Sequence, residues 1–178
     1  MYSNEKQFKS DNVFKGRVIS VFDDIVELDN GNKSRREYAK HNGAVCIIPI
    51  TYNGEVVLER QYRYAVGKVM TEIPAGKLET NEDRLEAAKR ELEEETGYKA
   101  GRIVDLGDFY GSPAILDERV TMYLATDLTK GETNYDADEF MEVFTMPLKE
   151  AVEKALNNEF DDGKTQLCIL KAWMYLNR

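Results

Sequence analysis

The chain has 178 residues, 42% of them hydrophobic, and a formal net charge of −9. That length suits one compact domain with a small appendage, and the acidic balance excludes the basic face that a nucleic-acid partner demands. One histidine and two cysteines cannot supply a four-ligand zinc centre, and an anionic substrate would need cations to meet so acidic a protein.

In chain order, the opening residues MYSNEK carry no apolar leader core. No later run approaches the eighteen apolar residues of a membrane span. Cys46 and Cys168 each sit in an apolar run (VCIIPI and LCILKAW), so they read as buried, reduced thiols in a cytoplasmic protein. The first 40 residues alternate as strands do, broken at Asn30-Gly31, a strong hairpin signal. A second pair, Asn53-Gly54, separates AVCIIPIT from EVVLERQYR and predicts another hairpin. After MTEIPAG a helical pattern runs from about Glu82 to Thr96. Strand-like runs return at RIVDLGDFY, RVTMYLATDL and EFMEVFTM, and two helices close the chain, one from Pro147 and one over Thr165 to Leu176. Many strands, a central helix and a C-terminal helical pair predict an α+β domain with its sheet between helices.

The central helix is chemically odd. Thr80 and Asp83 form a Thr-x-x-acid start, Gly97 is the stop, and Leu85, Ala88 and Leu92 give a thin apolar stripe. Four glutamates fill five positions in Glu91-Leu92-Glu93-Glu94-Glu95, at the end of the helix where the dipole disfavours acids. Like charges three and four residues apart add to that penalty, and Glu91, Glu94 and Glu95 share a face. Two readings fit: a solvated surface with Glu86–Arg90 and Arg90–Glu94 pairs, or a site for a hard cation such as Mg²⁺ or Mn²⁺ that would cancel the repulsion.

The wider segment resembles the Nudix box. From Gly76, GKLETNEDRLEAAKRELEEETGY places Gly76, Glu82, Arg90, Glu91, Leu92, Glu94, Glu95 and Gly97 at the box spacing, with Tyr98 where an aliphatic residue is usual. The resemblance implies a Nudix-type α/β/α sandwich with a mixed sheet, plus a small N-terminal β subdomain over residues 1–42 ahead of a hydrolase domain over 43–178. It implies that Glu91, Glu94 and Glu95 supply the carboxylates for Mg²⁺, with Mn²⁺ as a substitute, and that the Ala75 carbonyl adds an oxygen. Arg90 would orient the acids, Glu82 would support the loop–helix junction, and Gly76 would let the backbone pass close to the site.

Outside the box, REYAKHNGAVCIIPI, LERQYRYAVGK and TEIPAG resemble segments of the ADP-ribose pyrophosphatases. Pro113, sixteen residues after Gly97, stands where that subfamily carries its marker proline, followed by Ala114 in place of the usual glycine. Glu118 completes the pattern Ser-Pro-x-x-x-x-Glu. Arg63 is the expected diphosphate ligand, since a guanidinium offers phosphate a planar fork of donors; as a bland alternative it pairs with Glu59 or Glu72. Arg60, Glu72 and His41 are further substrate candidates, Glu72 doubling as a structural partner for Arg63, and Tyr38 is a possible stacking surface for adenine.

The implied reaction is metal-dependent hydrolysis of the pyrophosphate of ADP-ribose, or of a related nucleoside diphosphate sugar, to AMP and ribose 5-phosphate in the first case. The catalytic residues are expected to be Glu94, Arg90 and a general base in Asp136-Ala-Asp-Glu-Phe. Glu139 is favoured there, with Asp136 and Asp138 behind it. The subfamily also implies a homodimer that exchanges its N-terminal strands. Rival readings are a Nudix hydrolase for a dinucleotide or an oxidised nucleotide, and a sensor that binds ADP-ribose without cleaving it; the intact acid set weighs against the sensor.

Overall fold

The computed structural model describes residues 4–133 and 140–178. In chain order the elements are β1 (Lys6–Lys15), β2 (Ser20–Glu27), β3 (Lys33–Lys40), β4 (Ala44–Pro49), β5 (Glu55–Arg63), β6 (Lys68–Glu72), β7 (Ala75–Lys77), α1 (Arg84–Thr96), β8 (Tyr98–Tyr110), β9 (Arg119–Lys130), β10 (Met141–Pro147), α2 (Leu148–Leu156) and α3 (Gly163–Leu176). They divide into two compact units. One takes the chain up to Gly43 together with Tyr110–Arg119; the other takes Ala44–Phe109 and the chain from Val120 onward.

The first unit is the antiparallel sheet β1-β2-β3. Its second turn falls at Asn30-Gly31, where Gly31 has φ +80° and the Asn30 side chain accepts the Asn32 N–H at 3.0 Å. The segment 110–119 lies along the end of β3: the Ala39 N–H donates to the Ile115 carbonyl at 2.8 Å, and the Asp117 N–H to the Ala39 carbonyl at 3.2 Å.

The second unit holds two sheets, β7-β4-β9-β8 and β10-β5-β6. The first is mixed, since β4 runs parallel to β9 and antiparallel to β7. β4 is covered on both faces, which is why its sequence is a continuous apolar run rather than an alternation. Val45 and Ile47 point into a core with Leu78, Ala87, Ala88, Leu92, Tyr123 and Ala125, so α1 covers that face. Cys46 and Ile48 point the other way, among Met122, Leu124, Ala151, Val152, Cys168 and Ile169, so α2 and α3 cover the second face. The architecture is therefore α+β, a mixed sheet between helical layers.

Two local expectations are corrected. Asn53-Gly54 does form the turn of a short hairpin, with the Thr51 N–H bonded to the Glu55 carbonyl at 2.9 Å and Ile50 bridged antiparallel to Val56, but the pairing stops there and does not extend along the two strands. Both edges of β4 are already taken by β7 and β9, so β5 departs to pair with β10 and β6. The cap of α1 is Asp83 rather than Thr80: its carboxylate accepts the N–H groups of Leu85 at 2.9 Å and Glu86 at 3.1 Å. Asn81 adopts φ +64°, and the bend there lets the Glu82 carboxylate accept the Glu79 N–H at 2.9 Å.

Candidate active site

Helix α1 carries the acids on its last turns and ends on Gly97, whose left-handed φ of +71° allows its N–H to reach the Glu93 carbonyl at 2.8 Å. Arg90 is the hub of the polar face. Its Nε meets Glu82 Oε1 at 2.9 Å, and its Nη1 lies 2.8 Å from Glu91 Oε1 and 2.9 Å from Glu94 Oε2. The bond to Glu82 chiefly, against the cost of burial, and then the charge of Glu91 and the bond to Glu94 hold the guanidinium protonated far above its ordinary range. The same bond pulls the Glu82 carboxyl below the usual carboxylate range. Arg90 thus ties the loop before the helix to the acids on it.

Glu95 turns away from this hub. It is buried, and its Oε2 accepts the Ala75 N–H at 3.0 Å. Glu91 lies over Gly76: a Cβ built at that glycine would fall 1.9 Å from the Glu91 Cδ, so any other residue there would collide with the carboxylate. Strand β7 and helix α1 therefore bring Ala75, Gly76, Glu91 and Glu95 into one locus, with Glu94 joined to it through Arg90. Hard oxygen donors on a rigid helix beside a backbone strand suit Mg²⁺. As the side chains stand, Arg90 and the Ala75 N–H engage them, and among the described residues no three acids, histidines or cysteines converge on one point. The donor set fits a hard divalent ion in its chemistry, and Glu91, Glu94, Glu95 and the Ala75 carbonyl are the groups that would hold it.

Arg63 ends β5 and Glu72 ends β6, and the antiparallel register places Glu72 opposite Glu59. Arg63 grips Glu72 side-on: Nε donates to Oε1 at 2.7 Å and Nη2 to Oε2 at 2.8 Å. The Arg63 side chain is 38% exposed and that of Glu72 is 2% exposed, so Glu72 is placed as an inner partner of Arg63. Lys164, from the first turn of α3, also donates to Glu72 Oε2. Burial pushes the Glu72 carboxyl up, but the bonds and charges of Arg63 and Lys164 outweigh it and hold the group below its ordinary range. Arg63 is held more firmly protonated, first by its bond to Glu72, against burial, and then by the fields of Glu72, Glu59 and Glu95. Arg60 points differently: it pairs with Glu142 at 2.9 Å and lies 4.1 Å over the Phe144 ring.

The remaining candidates lie in the first unit. His41 is nearly buried, with Nδ1 3.1 Å from the Gly43 N–H and 3.3 Å from Glu118 Oε1, and its own N–H donates to Asp117 at 2.8 Å. Pro113 sits in the segment that runs along β3, so this unit brings His41 and Glu118 together. Tyr38 stacks on Phe22 at 5.5 Å and donates to Asp24 at 3.2 Å. Glu139, Asp136 and Asp138 lie outside the described residues. Of the two acids named from sequence as partners for Arg63, Glu72 takes the bonds, while the register of EVVLERQYR turns Glu59 inward. Lys164 was not singled out: it belongs to Asp162-Gly-Lys-Thr, a helix start whose cap is legible but whose lysine is not.

With this geometry in view, comparison with known proteins gives a consistent result. The family model described as NUDIX domain matches residues 40–167. An ADP-ribose pyrophosphatase of Bacillus subtilis (strain 168) is 40% identical over 167 residues, 93% of this chain and 90% of the relative. A methanol dehydrogenase activator of Bacillus methanolicus is 41% identical over the same shares. Among solved structures, one described as an ADP compounds hydrolase superposes with a TM-score of 0.87 over 97% of this chain and 94% of that one, at 22% identity, and so supports the fold. The chain belongs to the Nudix hydrolase family. Within that family it is a pyrophosphohydrolase.

Proposed function

We propose that the protein hydrolyses the pyrophosphate bond of ADP-ribose to AMP and ribose 5-phosphate in a Mg²⁺-dependent reaction. The observation that carries this reading is the meeting of Glu91 and Glu95 with the backbone at Ala75-Gly76. A divalent ion held there would neutralise phosphate charge and lower the pKa of water. The chain's own groups do the positioning. Arg63 uses its Nε and one Nη2 proton on Glu72, which leaves its outer donors to a diphosphate. Arg90 keeps Glu91 and Glu94 in one cluster while Glu82 fixes Arg90. An acid in 136–139, Glu139 first, is the candidate to take a proton from the attacking water. The preference for an ADP-sugar is supported by the 40% identical relative named for ADP-ribose and by Pro113 and Glu118 in the sequence.

The N-terminal unit would serve to pair two copies. All ten residues of β1, the edge strand of its sheet, are exposed, Phe8 at 60% and Phe14 at 55% among them. Open apolar strand edges are normally covered. No helix among the described residues is long and apolar enough to cross a membrane.

The deciding experiment measures AMP release from ADP-ribose with and without Mg²⁺, beside ADP-glucose, GDP-mannose, NADH and a nucleoside triphosphate. Mg²⁺-dependent turnover that favours ADP-ribose is expected. A preference for another compound would change the substrate, and binding of ADP-ribose without turnover of any compound would make the protein a sensor.

A further inference from the structure

The α3 N-terminus holds a lysine in a place that ordinary helix electrostatics disfavours. Lys164 lies in the first turn, where the dipole favours acids, and its side chain is only 17% exposed. Both penalties are met by two carboxylates, Glu72 and the helix cap Asp162, the latter 3.0 Å from Nζ. Asp162 also accepts the Thr165 N–H at 2.9 Å, and the Thr165 hydroxyl oxygen accepts the Ile73 N–H at 3.0 Å. The start of α3 is therefore fastened to the end of β6, beside Glu72.

Glu72 in turn takes three donors, two from Arg63 and one from Lys164. Its register partner is the buried acid Glu59, and like charges opposed across a ladder repel. Were Lys164 neutral, Glu72 would have only Arg63 to answer its buried charge. Arg63 would then be drawn inward at the expense of any ligand. With Lys164 in place, Glu72 is already covered and acts as a fixed rest for the Nε–Nη2 edge, leaving three of the five guanidinium protons facing elsewhere.

We propose that Lys164 is a positioning residue for substrate: by holding Glu72 from behind, it sets Arg63 to receive the diphosphate of a nucleoside diphosphate sugar. This rests on the reading of Arg63 as the diphosphate ligand. Lys164 itself touches no substrate. Its loss should therefore appear in substrate affinity rather than in the chemical step.

The test compares ADP-ribose hydrolysis by the full chain carrying Lys164→Met, Lys164→Gln, Lys164→Arg, Arg63→Met, or both methionine substitutions. Equilibrium binding of an α,β-methylene analogue of ADP-ribose is measured alongside. Lys164→Met should raise KM and the analogue Kd about tenfold, the equivalent of one charge-assisted hydrogen bond, while kcat stays within about twofold. Lys164→Arg should restore most of the affinity, and the double variant should bind no more weakly than Arg63→Met, because contacts in one network do not add. Lys164→Gln keeps an amide donor for Glu72 without the charge, so it decides the matter if the methionine variant does not fold. Unchanged KM in Lys164→Gln or Lys164→Met, with KM raised in Arg63→Met, overturns the role of Lys164 alone. Unchanged KM in Arg63→Met removes the diphosphate role of Arg63 and this proposal with it.

Discussion

At the scale of single residues, the site depends on how closely backbone and carboxylate approach. Gly76→Ala would set a methyl group 1.9 Å from the Glu91 Cδ, so Glu91 must move. A displacement of that size at a reacting centre costs on the order of a hundredfold in rate, and kcat for ADP-ribose should fall accordingly while the circular dichroism stays that of the wild type. Glu94→Gln should abolish most Mg²⁺-dependent turnover with little change in melting temperature, because Glu94 is partly exposed and pairs with Arg90 at the surface; an unchanged rate would remove it from the metal set. Glu72 gives a pH signature. Its carboxyl is held below the ordinary range, since Arg63 and Lys164 outweigh burial. Such a group contributes stability that is complete above its unfolded pKa, about 4.3, and lost as pH falls through the folded value. Urea midpoints measured from about pH 5 down to about pH 3 should therefore fall less steeply for Glu72→Gln than for the wild type. Parallel slopes would mean that Glu72 is not the titrating group.

At the scale of elements, α1 shows what a sequence reveals and what it hides. Its acid cluster, its terminal Gly97 and the buried Ala88 and Leu92 were legible, because each follows from helical spacing or from a left-handed stop; Leu85, expected in the apolar stripe, is exposed, and Ala87 is buried in its stead. The cap was not: Thr80 and Asp83 both have capping side chains, and only the positive φ of Asn81 decides which one stands at the start. Asp83→Ala should lower stability by about 1 kcal/mol, and Thr80→Ala by less than about 0.5 kcal/mol, as read from chemical denaturation. The hairpin expected at Asn53-Gly54 forms but stops at the Ile50–Val56 bridge, for a similar reason. Turn chemistry is local, whereas the partner of β5 is set by which edges of β4 remain open. Arg63 was legible as a phosphate ligand by its motif, but the side-on grip on Glu72 and the lysine behind it come from α3, more than ninety positions along the chain from Glu72. No spacing rule reaches that far.

For the whole molecule, the strand content ahead of the box was legible, but the segment 110–119 was not expected to lie with those strands. It joins them because β3 offers its backbone at Ala39 to Ile115 and Asp117, an arrangement without a sequence signature. If β1 is the pairing surface, the protein should sediment at twice 20.4 kDa, and Phe14→Asp should return it to monomer mass with the second unit still folded. A wild-type monomer would refute that pairing. The arrangement of β4 carries a last consequence. It is flanked by β7 and β9, and its residues alternate between two interiors, Val45 and Ile47 in one, Cys46 and Ile48 in the other. Protons on its amides can reach solvent only when both interiors come apart. In deuterated water these amides should be among the slowest to exchange and should do so only through opening of the unit as a whole. Four neighbouring peptide groups would then serve as a built-in gauge, against which the free energy lost in any variant of this enzyme could be read without denaturant.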